Sequence, residues 1–159
     1  MAIFFNVSEI YQFAIKIEEN GEKFYRKVAE KTKDKKVKDL FIFLADEEVK
    51  HKKVFEELLS KIEKYEPPES YPGEYFTYLK AYAEELIFPK GVEREMEKED
   101  VIEAINFGIR RELDSIIYYL EVKDFVPETQ HSQLDKIIEQ ERIHFVKLSN
   151  LKKQLTKGR

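Results

Sequence analysis

Two rows of apolar residues in this sequence are each broken by a Glu and a His, and the two rows lie 93 residues apart. The first reads Phe41, Leu44, Glu48, His51, Phe55, Leu58, Ile62; the second reads Leu134, Ile137, Glu141, His144, Leu148, Leu151, Leu155. Steps of three and four place each row on one helix face. A shift of 94 brings the segment ahead of the first row onto the segment ahead of the second: Glu18 onto Glu112, Tyr25 onto Tyr119, Val28 onto Val122. The chain is thus a doubled unit, each half one helix with an inward Glu and a second with an inward Glu-x-x-His. Carboxylates facing a core are costly unless something neutralises them. The fold must therefore bring these groups together with their counter-charge.

The chain holds only 5 Gly and 5 Pro, and they punctuate it rather than scatter through it. Asn6 followed by Glu9 reads as a capping-box start, Asp34 as the cap of a second helix, and Asp100 followed by Glu103 as the start of a third. Helices are expected over about 7–33, 35–64, 101–124 and 128–155. A crossover over 65–100 holds Pro67, Pro68, Pro72 and Pro89, with a short helix near 74–88. Nothing alternates with period two, so no strand is expected. Two short-turn antiparallel hairpins joined by a long crossover are the connectivity of a ferritin-like four-helix bundle. The expectation is an all-α single domain over 1–159, a size at which roughly two-thirds of the unfolded surface becomes buried.

Composition narrows the function. Charged residues make up 38% and the net charge is -4 with both signs interspersed, which is not a nucleic-acid footprint. This Lys- and Glu-rich mix also occurs in heat-adapted proteins. No apolar run reaches the ~18 residues of a membrane span. The start, MAIFFNVSEI, has no basic region ahead of its apolar residues and does not read as a secretory signal, so the expected location is the cytoplasm. With no Cys there is no thiol, disulfide or iron–sulfur chemistry in this chain.

The inward polar residues point to metal. Glu18 shares a face with Tyr11, Ala14 and Tyr25; Glu112 shares one with Ile105, Ile109, Ile116 and Tyr119. With Glu48 and Glu141 they carry -4, which two divalent cations neutralise, and His51 and His144 add nitrogen ligands without adding charge. A Glu and a His at i and i+3 can reach one metal. Oxygen-rich ligation with one imidazole per metal suits iron or manganese, with zinc a further possibility. Ion pairing with Lys or Arg is the competing account, but no basic residue falls on the inward rows of the second and fourth helices.

Glu-x-x-His alone is a weak signal in a chain with 25 Glu, and all three histidines show it. Glu128 and His131 form the third pair; it follows Pro127 directly and has no counterpart in the repeat, so it reads as an acid near a helix N-terminus and a surface histidine. Glu19 and Glu22 read as solvated. Tyr71, Tyr75, Tyr78 and Tyr82 in the crossover suit packing against the bundle or a dimer partner, or electron transfer. Tyr25 and Tyr119 are either core packing or hydrogen-bond donors to the carboxylates.

Glu18 with Tyr25 and Glu48-Val-Lys-His51, repeated as Glu112 with Tyr119 and Glu141-Arg-Ile-His144, resemble the rubrerythrin group of ferritin-like proteins over both hairpins. The resemblance implies bridging roles for Glu48 and Glu141, and chemistry with dioxygen or hydrogen peroxide at a reduced di-iron centre. Two departures stand out. Without Cys there is no rubredoxin-type electron-delivery centre, so the electron donor must be a separate molecule. Where rubrerythrins carry an extra carboxylate one turn after the third-helix Glu, this chain has Ser115. The expected function is a di-iron oxidoreductase of ferroxidase or peroxidase type, set against a non-catalytic bundle with structural or buffered metal and a metal-free interaction bundle. A homodimer is the expected assembly.

Overall fold

The computed structural model describes residues 7–62, 73–87 and 101–157. Five α-helices are present among them: α1 Val7–Lys31, α2 Lys35–Ser60, α3 Gly73–Ile87, α4 Val101–Val122 and α5 His131–Lys157. No strand occurs among the described residues. The α1–α2 and α4–α5 hairpins associate as the four-helix bundle, and α3 packs on both α1 and α4.

The termini of the helices follow local chemistry. Asp34 sits extended (φ -76°, ψ 120°), and its side chain accepts from the Val37 N–H, stopping the α1–α2 turn and starting α2. The expected caps at Asn6 and Asp100, the prolines of the crossover and Tyr71 lie outside the described residues. Helix α1 stops two residues short of the expected Lys33. The second turn is the larger departure. The third helix yields to a 3-10 turn at Lys123–Phe125, and Pro127 (φ -55°, ψ 139°) opens another at Glu128–Gln130 before α5 begins at His131. Buried Gln130 explains that shape: its side chain accepts from the Tyr11 hydroxyl and donates to the Leu58 carbonyl, drawing the turn down onto the end of the bundle. In the crossover, the Tyr82 hydroxyl donates to the Asp114 carbonyl at 2.9 Å and its ring stacks on Tyr118, so this tyrosine packs against the bundle.

The core is split in two along the bundle axis. One cluster gathers Tyr11, Ile17, Phe55, Leu58, Tyr119 and Leu134; the other gathers Phe24, Tyr25, Phe41, Leu44, Ile105 and Leu148. In every bundle helix the residues between the two clusters are polar or small and buried: Glu18 and Gly21, Glu48 and His51, Arg111, Glu112 and Ser115, Glu141 and His144. A layer of buried charge thus lies at mid-bundle, sealed above and below by apolar packing. No helix among the described residues is long and apolar enough to cross a membrane.

Candidate metal centre

All six candidate ligands converge in that layer. Ligand atoms of Glu18, Glu48, His51 and Glu141 lie within 4.8 Å of one another, as do those of Glu48, Glu112, Glu141 and His144. Two four-residue sets sharing Glu48 and Glu141 make a dinuclear arrangement, with those two carboxylates between the halves. His51 Nδ1 lies 2.8 Å from Glu141 Oε1 and 3.5 Å from Glu18 Oε2; His144 Nδ1 lies 3.6 Å from Glu141 Oε1 and 3.8 Å from Glu112 Oε2. The two imidazoles stack at 5.6 Å.

The donor set fits cations. Glu18 Oε2, Glu112 Oε2, Glu141 Oε1, His51 Nδ1 and His144 Nδ1 are all buried without a hydrogen-bond partner. The short His51–Glu141 approach lacks hydrogen-bond alignment. Five orphaned donor atoms aimed at one another are a large penalty for a fold to carry. A divalent pair removes it, since each atom is a metal-binding lone pair.

Around the six stands a set of orienting contacts. The Tyr25 hydroxyl donates to Glu112 Oε1 and the Tyr119 hydroxyl to Glu18 Oε1, each at 2.5 Å. Each tyrosine reaches the carboxylate of the opposite hairpin, so the pair fixes the ligands and ties the hairpins together. His51 Nε2 lies 2.8 Å from Gln140 Oε1; with the proton on Nε2, Nδ1 is left free to ligate.

Electrostatics show how hard the layer works without a cation. Burial, reinforced by the charges of Glu18 and Glu141, pushes the Glu48 carboxyl well above its ordinary range. Burial and Glu141 do the same to Glu112. Burial opposes charge on His51, but the carboxylates of Glu18 and Glu141 win and hold it up at about 11. Glu18 stays low despite its burial, through a hydrogen bond from Glu48 and the His51 charge. Burial lowers His144, against the pull of Glu112. Protons occupy the positions that cations would neutralise.

Three further residues shape the layer and escape the sequence patterns. Arg111 is buried, 9% exposed, and donates from Nη2 to the Ile17 carbonyl at 2.9 Å. It is a basic group in the core, but on the third helix rather than on the two rows where basic residues are absent. Gly21 lets it in: a Cβ there would stand 3.0 Å from Glu48 Oε2 and 3.4 Å from Arg111 Nη2. Gln140 is the third. The repeat carries a signal for the first two, since Arg111 aligns with the inward Ile17 and Gly21 with Ser115. Ser115 is buried and brings no carboxylate. His131 and Glu128 stand apart from both ligand sets, His131 Nε2 lying 3.2 Å from the Val126 carbonyl. Glu19 pairs with Lys52 at 2.9 Å and Glu22 with Arg26 at 3.7 Å, at the rim of a cleft between α1 and α2 that leads to Glu18 and Glu48.

The bundle, the crossover and the doubled glutamate–histidine layer define a ferritin-like protein of the di-iron carboxylate class. The Rubrerythrin family model matches residues 9–152, and the chain belongs to that family. A Thermotoga maritima protein provisionally described as a ferritin-like diiron-carboxylate protein is similar in structure, with a TM-score of 0.72 and 29% identity over 93% of this chain and 95% of its own. No curated protein matches the sequence.

Proposed function

We propose that the chain holds two iron ions between Glu18, Glu48, His51, Glu112, Glu141 and His144 and acts as an oxidoreductase on dioxygen or hydrogen peroxide. The observation carrying this reading is the pair of four-residue ligand sets that share Glu48 and Glu141. A reduced di-iron centre supplies two electrons to such an oxidant. The protein's part is to build and protect the site. Tyr25 and Tyr119 hold the terminal carboxylates by their Oε1 atoms and leave Oε2 for the metal. Gln140 sets the His51 tautomer. The two apolar clusters limit water, and the cleft lined by Glu19, Glu22, Lys23 and Lys52 that leads to Glu18 and Glu48 offers cations a way in. Electrons come from a separate donor, because the chain has no Cys for a redox centre of its own. Ser115 supports ferroxidase-type over peroxidase-type turnover, because no further carboxylate is present there to serve as ligand or base.

The test is anaerobic loading with ferrous iron, followed by rapid mixing with dioxygen or with hydrogen peroxide. A ferric absorbance change saturating near two irons per chain, lost in Glu48→Ala and Glu141→Ala, is expected. Binding of two irons with no oxidation faster than that of free iron would reduce the protein to a metal-holding bundle.

A further inference from the structure

Among the described residues, Arg111 is the buried charged side chain that neither ligand set includes. A buried guanidinium ordinarily meets a carboxylate. Arg111 instead donates to the Ile17 carbonyl, and it forms no ion pair among the described residues. Its field nonetheless reaches the layer. Burial raises the Tyr25 hydroxyl, which donates to Glu112, and the Arg111 charge opposes that rise. Gly21 brings the charge to the shared ligand: a methyl group there would touch Glu48 Oε2 at 3.0 Å and Arg111 Nη2 at 3.4 Å. Guanidinium and carboxylate thus face each other across the width of one methyl group. The repeat supplies a control. In the first hairpin the position of Arg111 is held by Ile17, buried and apolar. An apolar filler is enough to close the bundle there, so the charge on α4 answers to something other than packing.

Charge balance says what it answers to. Four carboxylates and two divalent cations sum to zero, and neutral imidazoles leave that sum unchanged. Arg111 stays protonated at any working pH, so the loaded layer carries one positive charge in excess. Two trivalent cations raise the excess to three. Coulomb interactions are several times stronger in a buried layer than in water, and a fixed positive charge opposes every further one. We propose that Arg111 is a specificity-determining residue that weakens cation binding in the layer and disfavours trivalent ions more than divalent ones. For iron this raises the reduction potential: each ferric ion regains its one electron from a weaker external donor than it otherwise could. The inference rests on the reading that the six side chains hold metal; it does not depend on which oxidant the centre meets.

Two substitutions separate charge from shape. Arg111→Gln keeps an N–H donor for the Ile17 carbonyl and removes the charge; Arg111→Lys keeps both. Zinc affinity, read by competition with a chromophoric chelator, tests the divalent arm without redox chemistry. Arg111→Gln is expected to bind zinc more tightly than wild type by roughly tenfold, and Arg111→Lys to stay near wild type. Spectroelectrochemical titration of the iron-loaded protein tests the trivalent arm. There the potential of Arg111→Gln falls, and Arg111→Lys again follows wild type. A residue that only filled space would loosen binding on substitution and leave the potential where it was. Circular dichroism checks that each variant is helical; should Arg111→Gln not fold, Arg111→Ile, which copies the first hairpin, takes its place. Zinc affinity unchanged or weakened in the uncharged variant, or a potential that stays or rises, would overturn the role of Arg111 and leave the ligand set standing. A wild type that bound neither zinc nor iron would overturn both.

Discussion

At the scale of single residues, the six candidate ligands stand out in the sequence because each breaks an apolar row, and a broken row is visible at helical spacing. Their supports stand out less. Tyr25 and Tyr119 read equally as packing, because a tyrosine on an inward face looks the same whether or not its hydroxyl has a partner. The geometry gives each hydroxyl a carboxylate across the bundle. Tyr119→Phe should therefore weaken metal affinity by roughly 10–100-fold, as loss of an orienting contact typically does. Competition with a chromophoric chelator measures that; unchanged affinity would return Tyr119 to the core. Gly21 was invisible because its role is an absence. A Cβ at Gly21 would crowd Glu48 Oε2 while improving helix propensity by about 1 kcal/mol. Gly21→Ala is thus expected to leave the melting temperature of the chelated protein near or above wild type while weakening metal binding. Equal loss of both would mean that the glycine serves packing alone. Arg111 escaped notice because a basic residue beside a ligand normally reads as solvated; only its repeat partner, the inward Ile17, marks the position as buried.

At the scale of elements, the four bundle helices followed from apolar periodicity and sparse Gly and Pro, and their cores lie where the periodicity placed them. The Asp34 cap was readable because a side-chain acceptor three residues before its donor is a local event. Asp34→Ala should cost about 1 kcal/mol, a fall of roughly 2–4 °C in a melt of the chelated protein. A shift within experimental error would show that packing of α2 alone fixes its start. The turn between α4 and α5 was not readable in the same way. Its two 3-10 turns depend on Gln130, whose partners Tyr11 and Leu58 are distant in sequence. Local propensity has no access to such contacts. The α4 face shows a related limit: Leu113, Ile117 and Leu120 are exposed, and only the fold shows which side of that helix faces inward.

At the scale of the whole molecule, the two halves close a charged layer between two apolar clusters, and the stability of the bundle is thereby coupled to whatever neutralises that layer. Cations and protons compete for the task. Without a cation, burial holds protons on Glu48 and Glu112 to higher pH than usual, and Glu18 and Glu141 hold His51 up at about 11, so that it keeps its proton at neutral pH. Cation binding must expel such protons, so titration calorimetry in buffers of different ionisation enthalpy should show net proton release on loading. The same groups set the sign of the pH dependence. A group whose pKa is raised by folding stabilises the fold fully below its unfolded pKa and loses that stabilisation as pH rises toward the folded one. The chelated protein should therefore lose stability as pH rises from about 6.5 toward about 11. Glu18 and His144 have lowered pKa values, so their contribution is already complete above about pH 6.5 and does not offset the loss. The metal-loaded protein, with its carboxylates ionised throughout, lacks this dependence. The gap in melting temperature between loaded and chelated protein should consequently widen with pH across that range, from a baseline of at least about 10 °C given several kcal/mol of binding energy. A gap that narrows as pH rises would mean that protons and cations do not share the layer, and the six side chains would then need another counter-charge.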